Sequence, residues 1–516
     1  MTSLLREAPR LFHGQLHDLS SEAPCPSKKV DRLWLLVATG LYLYLSLFAS
    51  WKVPYLLGGD QTFFWMDGQR ILSGEVIFRD FFRFVPPGTS LLYAASFKIF
   101  GTKIWVANTV VLGLGLAFCD LCFSLCSRVM NRGTAFLAAA FFEVFLYGKA
   151  LNATHHWFSI LIAGYAVLIC LDRISTKRIF ISGALLGLSA FFTQTHAVAF
   201  LAAFLTFLFL KHKRQSTPVS DLYRGIGSLL AGFVLVLIVL FSHAILTAGL
   251  ERVWFCNVTY VLKYGALNRA STRLGLTEAL TLQNLPKMSL YLWVYIALPI
   301  AYGISLWRCW RYRNDSRFPW SQVALLSLAG LAVFGEVAVS INWLRLFAVS
   351  LPGVILLFWL LGPVLKNRRY VTAGLWIAIL VLAMRQIQIS RANYSVRADL
   401  PAGQLAITPK VYEKLAWVSQ HTQPGEYFLQ AHWPGMYLPL HLRNPLYFSN
   451  LSLLDAMRLE DVSSSVLRLK QTPVRYILTA QNLECNGNLA PFCDYLKEEY
   501  DPIWTFSDGD TIHQRR

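Results

Sequence analysis

Charge is scarce in this sequence, and negative charge most of all. Only 15% of the 516 residues are charged, with 29 acidic residues against 47 basic ones. A soluble domain carries about a quarter of its residues as charges. The shortfall, together with 55% hydrophobic residues gathered in long runs, excludes an ordinary water-soluble globule and points to a polytopic membrane protein. The nine cysteines show no zinc-like spacing. Cys119, Cys122 and Cys126 fall within one apolar run, where they read as small packing residues. No basic, aromatic-interleaved module accompanies the net charge of +18, so nucleic acid is not the expected partner. No internal repeat and no low-complexity tract is present. Nor does a small-residue cleavage site follow a short apolar core near Met1, so the chain from Leu33 onward reads as a retained signal anchor.

What the sequence does contain is a series of apolar runs: 33–50, 104–126, 134–148, 155–171, 179–192, 197–210, 225–247, 287–307, 320–340, 344–361 and 371–389. Read as spans, they give about eleven transmembrane helices. The pair 179–192 and 197–210 is short for two crossings, but charge decides it. Arg173, Lys177 and Arg178 precede the pair and Lys211, Lys213 and Arg214 follow it. Both flanks belong on the cytosolic side, so the pair is a tight hairpin turning at Thr193–His196. The other basic loops (Arg128 and Arg132; Arg308 to Arg317; Lys366 to Arg369) obey the same rule. The expected placement is therefore in a membrane, with a polar cytosolic tail over 1–32 and a membrane domain over 33–389. Its large outer loops cover 51–103 and 249–286. Residues 390–516 form a small α/β domain on the extracytoplasmic face, helical at Val411–Ser419 and Val462–Leu469 and extended at Tyr427–Gln430 and Tyr476–Thr479. Cys485 and Cys493 lie in it, where a disulfide could persist.

The loop from Tyr55 to Gly101 is where function is expected. It holds three carboxylates (Asp60, Asp67, Asp80), two arginines beside the last (Arg79, Arg83), a rigid Pro86-Pro87-Gly88 turn, and a short interfacial helix over Thr89–Phe100. Acidic residues at a membrane boundary are costly and mark function by default. A sugar carried on a polyprenyl phosphate brings its own leaving group. The protein needs only a base for an acceptor hydroxyl and cations for the departing phosphate. Asp60 is the candidate base, with Asp80 as a second catalytic candidate. Arg79, Arg83, Lys149, Arg269 and Arg345 are the candidate cations, and one displacement of this kind inverts the anomeric centre.

Asp60-Gln61, Leu72-Ser73-Gly74, Phe78-Arg79-Asp80-Phe81-Phe82, Pro86-Pro87-Gly88 and Phe100-Gly101, in that order, resemble the first loop of GT-C glycosyltransferases. These are the membrane enzymes related to protein O-mannosyltransferases and to the aminoarabinose transferases of lipid A. Arg345 followed by Leu351-Pro352 is similar to a helix entry found late in that family. The resemblance implies a polyprenyl-phosphate sugar donor, an extracytoplasmic active site and Asp60 as the catalytic carboxylate. The acceptor would be a hydroxyl on a glycolipid, a polysaccharide or a protein. Two departures stand out. Gln61 replaces a common glutamate, and Lys149–Trp157 replaces a loop often acidic in relatives. Both remove ligands for a divalent ion, which stays an open alternative; no other cofactor is indicated.

Several residues have competing readings. Asp60 could merely cap a helix after Gly58-Gly59. Asp80 could pair with Arg79 or Arg83 and only shape the loop. Asp67 reads as the solvated face of a surface helix. His155, His156 and His196 reach the outer face as hydrogen-bond partners of phosphate or sugar, as metal ligands or as packing. Trp157, Trp254 and Trp343 read as interfacial belt residues before sugar-stacking platforms, while Glu143 and Glu336 are each either a buried hydrogen-bonded carboxyl or a pathway residue. Two rivals to a transferase stand beside it. A transporter or flippase of lipid-linked sugars would show inverted repeats, and a non-catalytic scaffold would tolerate loss of Asp60.

Overall fold

A computed structural model of the chain describes residues 29–263, 290–338, 343–449, 451, 459–481, 483, 485 and 487–516. Each of the eleven apolar runs contains a helix. The first is α1 (Lys29–Leu47), which ends in a small hairpin of β1 (Phe48–Ser50) and β2 (Val53–Pro54). Two helices of the first loop follow, α2 (Gln61–Leu72) and α3 (Gly88–Phe100). Then come α4 (Ile104–Cys126), α5 (Arg132–Phe145), α6 (His155–Asp172), α7 (Thr176–Ala190), α8 (Gln194–Gln215) and α9 (Val219–Ala248). A short α10 (Leu250–Trp254) runs into a π-helical turn, Phe255–Thr259. The bundle is completed by α11 (Leu290–Arg311), α12 (Trp320–Ala338), α13 (Trp343–Val349), α14 (Leu351–Asn367) and α15 (Arg369–Asn393). Among the described residues seven of these helices are long and apolar enough to cross a membrane.

Two helices do adjoin there, but α7 and α8 are joined by a turn at Phe191–Thr193, earlier than the expected Thr193–His196, because Gln194 to His196 already belong to α8. Close approach explains how so short a helix as α7 packs. A Cβ on Gly183 would lie 2.0 Å from the Leu229 carbonyl oxygen of α9, and one on Gly232 would lie 2.2 Å from that of Phe180. Only hydrogen fits in either place, as at small-residue crossings in membranes. The run 344–361 is in fact two helices. Pro352 sits in the first turn of α14, where its missing N–H costs nothing, and α13 stands apart before it.

Charge is distributed unequally between the two ends of the bundle. Arg32 pairs with Asp120, Arg132 with Asp31 and Arg128 with Asp172 at one end, and Arg214 donates to the Arg313 carbonyl there. The first loop covers the opposite end, and the C-terminal segment docks onto that loop. Its hairpin, β3 (Val396–Leu400) with β4 (Gly403–Ile407), meets the first loop where Leu56 N–H donates to the Ala406 carbonyl at 2.9 Å. Lys103 Nζ donates to the Pro401 carbonyl at 2.9 Å.

Beyond the hairpin lie α16 (Pro409–His421), β5 (Leu429–Gln430), α17 (Tyr437–Leu440), α18 (Leu459–Gln471), β6 (Tyr476–Thr479), α19 (Ala490–Glu499), β7 (Tyr500–Thr505) and β8 (Thr511–Arg515). The sheet order is β5-β6-β8-β7. The two helices and two extended stretches expected there are all present. The β3–β4 and β7–β8 hairpins were not expected, because their strands read as mixed polar sequence. Cys485 and Cys493 are joined in a disulfide.

Candidate active site

Asp60 occupies the position before α2, after a backbone kink at Gly59 (φ 83°) that glycine adopts without strain. It is half-buried and makes no side-chain cap on the helix it precedes. Among the described residues its carboxylate has no hydrogen bond or ion pair, so capping does not account for it. The neighbouring Gln61 explains how the loop is held. Its Nε2 donates to the Gly58 carbonyl at 3.1 Å, and its Oε1 accepts from Ala153 N–H at 3.3 Å. A buried amide thus ties the start of α2 to the segment leading into α6, a task a glutamate would perform less well because a carboxylate cannot donate.

That tie brings α2 against the start of α6, where two of the histidines lie. Phe64 of α2 meets the His155 ring edge-on at 5.7 Å. His155 Nδ1 lies 2.8 Å from Thr193 Oγ1 at the α7–α8 turn. Its ring is 3.8 Å from that of His156, which is in turn 5.1 Å from that of His196. His196 Nδ1 is 3.1 Å from Ser159 Oγ, and its Nε2 is 3.4 Å from Glu336 Oε2. His156 and His196 are buried, and His156 Nδ1 has no partner among the described residues.

Arg345 on α13 is the cation of this group. Its charge acts on Asp60, His155, His156 and Glu336 alike. Burial pushes the Asp60 carboxyl above the ordinary carboxylate range, and the positive charge of Arg345 pulls it part of the way back. A partly desolvated, unpaired carboxylate beside a cation can take a proton from an approaching hydroxyl. Among the described residues no three His, Cys, Asp or Glu side chains are placed to hold a metal ion.

The other expected site residues fall elsewhere. Asp80 pairs with Arg79 at 2.8 Å and accepts from Val76 N–H at 2.7 Å, so the hydrogen bond from Arg79 holds its carboxyl below the usual range. The pair faces Arg252 of α10, whose guanidinium donates to the Arg79 carbonyl at 3.0 Å. Arg83 is buried and bidentate to Asp67, at 2.6 Å for each contact, and donates to Ser449 Oγ at 2.8 Å. This corrects the reading of Asp67 as a solvated surface residue. It is fully buried, accepts also from Ser90 Oγ at 2.7 Å, and clamps α2, α3 and the C-terminal segment together. Nothing local marked it, since an Asp on an amphipathic helix looks the same whether its partner comes from 16 residues away or from water.

Lys149 is exposed after α5, with no place in the cluster, and Arg269 lies outside the described residues. Trp157 is corrected as well: it is fully buried against Phe118, Phe142 and Tyr147 and does not belong to an interfacial belt. Trp254 is exposed, and the side chain of Trp343 lies outside the described residues. Glu143 is buried near Tyr42, Cys119 and Tyr147, apart from the cluster. Glu336 is the member that sequence reasoning left undecided; the histidine facing it was the missing signal.

Among solved structures, the chain is similar to ArnT from Cupriavidus metallidurans bound to undecaprenyl phosphate. The identity is 12%, the match covers 94% of this chain and 98% of that one, and the TM-score is 0.56. The same enzyme in its apo state matches over equal lengths at 12% identity and a TM-score of 0.57. This chain has the GT-C fold. No family model and no curated protein matches it by sequence. The GT-C fold places it among membrane-embedded architectures, and at this identity the likeness speaks for the fold alone.

The contact between half-buried Glu336 and buried His196 gives a direct stability test. Glu336→Ala removes the carboxylate 3.4 Å from His196 Nε2, a contact without hydrogen-bond geometry, and should cost about 1 kcal/mol or less. Glu336→Gln, which can still hydrogen bond, should recover most of it. Thermal unfolding of the purified protein in detergent measures both, and equal melting temperatures for the three forms would refute the pairing.

Proposed function

We propose that this protein is an inverting glycosyltransferase that moves a sugar from a polyprenyl-phosphate donor to a hydroxyl acceptor, a glycolipid, polysaccharide or protein. What carries the reading is an unpaired, half-buried Asp60 facing the charge of Arg345, at the end of the bundle remote from the basic loops. Asp60 takes the proton of the acceptor hydroxyl. The oxygen attacks the anomeric carbon from the face opposite the phosphate, and the sugar–phosphate C–O bond breaks with its electron pair going to phosphate oxygen. Arg345, with His155 and His156 beside it, receives the negative charge released there. The lipid tail lies among the helices. Asp80 and Arg79 fix the loop, and the Asp67–Arg83 clamp holds its frame. The bundle end bearing Asp60 is the extracytoplasmic one, because the arginine-rich end belongs in the cytosol of a bacterial inner membrane. The C-terminal segment, 390–516, then caps the outer face, where its disulfide is stable. Binding of undecaprenyl phosphate by the ArnT of matching fold supports the donor class.

The test is direct. Purified protein is incubated with radiolabelled polyprenyl-phosphate sugars of several kinds, and release of polyprenyl phosphate is measured with and without Asp60. A protein that releases none from any donor, with membrane acceptors supplied, would refute the reading.

The pH dependence has a definite sign. Asp60 must be ionised to act as a base, so the rate should fall as pH drops through its raised pKa. Arg345→Gln removes the charge that pulls that pKa down, so the acid limb of the kcat/KM profile should move to higher pH. A limb that stays put, or moves down, would separate Asp60 from Arg345.

A further inference from the structure

Thr193 occupies the N-cap of α8, where a threonine hydroxyl ordinarily accepts from a backbone N–H of the first turn. Here it makes no such cap. Both of its hydrogen bonds go to one residue instead. Oγ1 donates to the His155 carbonyl at 3.1 Å and lies 2.8 Å from His155 Nδ1. A hydroxyl has a single hydrogen, and the carbonyl has taken it. Thr193 must therefore accept from Nδ1–H, which leaves the neutral ring of His155 with its lone pair on Nε2.

The same reasoning orders His196, with a different outcome. Ser189 Oγ donates to the Ser159 carbonyl at 2.9 Å, so Ser159 Oγ gives its own hydrogen to Ser189 Oγ, 3.2 Å away. Ser159 then accepts from His196 Nδ1 at 3.1 Å. The Nε2 of His196, however, is shut inside the protein opposite Glu336. Of the three rings in the cluster His155 alone is only half-buried. Its Nε2 has no hydrogen-bond partner among the described residues.

A lone pair selects a donor. Phosphate oxygens only accept, so they belong with the guanidinium of Arg345, whereas a sugar hydroxyl can donate to Nε2. The place suits a sugar. Phe64, which meets the His155 ring edge-on, follows Asp60 by roughly 6 Å along α2 at 1.5 Å per residue.

We propose that Thr193 is a positioning residue that holds His155 in the Nδ1–H form, so that Nε2 accepts a hydroxyl of the transferred sugar. The tautomer stands on the hydrogen bonds alone; the sugar contact rests on the transferase reading.

The tautomer is read by solid-state NMR of the full chain in lipid nanodiscs, with isotope-labelled histidine and with His155→Gln to assign the ring. Wild type should show a protonated Nδ1 and a bare Nε2. Thr193→Val should mix the two neutral forms, and Thr193→Ser should restore the single one. A bare Nδ1 in wild type, or a ring unchanged in Thr193→Val, would overturn the lock. Thr193→Ala takes the place of the valine variant if that one folds poorly. The sugar contact is read with the polyprenyl-phosphate sugar that wild type turns over fastest and with analogues each lacking one sugar hydroxyl. At least one analogue should lose about tenfold in kcat/KM, the worth of one hydrogen bond. That discrimination should vanish in Thr193→Val and return in Thr193→Ser, a pattern that mere loss of stability would not produce. Transfer that discriminates against no analogue, or equally with and without the Thr193 hydroxyl, would overturn the contact and leave the transferase reading standing. No transfer from any donor would remove both, while the NMR result would still judge the tautomer.

Discussion

Asp60→Asn should leave a folded protein that transfers almost no sugar. The amide has the shape of the carboxylate but cannot accept the acceptor's proton, and a positioned base is worth about 10²–10⁴ in rate. Loss of fold would not be the cause. The carboxylate caps nothing and has no hydrogen-bond partner among the described residues, so the substitution removes no structural contact seen there. It also removes a half-buried charge, which should cost no stability. The measurement compares initial rates of polyprenyl phosphate release for wild type and Asp60→Asn. Both are first shown to elute identically by size exclusion and to melt at similar temperatures. Turnover within a few-fold of wild type would end the base assignment and favour a scaffold. A variant that binds donor but releases no lipid phosphate would place the defect in the chemical step.

Removing one partner of the Asp67–Arg83 pair should destabilise the protein by about 3–5 kcal/mol, because a buried charge is left without compensation. The geometry leaves little room for rescue by water. Asp67 is fully buried and Arg83 is 8% exposed, and each oxygen of the carboxylate takes a guanidinium contact of 2.6 Å. Ser90 and Ser449 fill further positions from two other parts of the chain. Asp67→Ala and Arg83→Ala should both lower the melting temperature and the yield of monodisperse protein. The double variant Asp67→Leu with Arg83→Met should recover much of the loss, since an apolar pair of similar volume leaves no stranded charge. If either single variant melts like wild type, the clamp is not structural. Activity should follow stability here: where Asp67→Ala folds at reduced temperature, its remaining turnover should be close to normal, unlike that of Asp60→Asn.

The two aspartates sit in one short helix region, and the sequence ranked them in opposite ways; the structure overturns the ranking of Asp67. Asp60 stands out in the sequence because the features around it are local: a Gly-Gly pair, an apolar run before it and an ordered set of motifs after it. Asp67 was misread because its character depends on Arg83, Ser90 and Ser449, the last of them more than 350 residues away. The histidines show the same division. Their arrival at a common bundle end followed from the charge-derived topology, whereas their stacking and the link from His196 to Glu336 did not.

The sequence by itself determined where the helices lie, which loops share a bundle end, and that three acidic groups gather in the loop after the first helix. Each of these depends on hydrophobicity and charge summed over neighbouring residues, and such sums need no folded partner. Tertiary structure alone decided which charges are paired and which are free. Asp67 is paired with Arg83, Glu336 lies 3.4 Å from His196, and Asp60 is left facing Arg345 unpaired, whereas Asp80 pairs with the adjacent Arg79. Pairing falls off within a few ångströms, and only the fold sets distances that short between residues far apart in the chain.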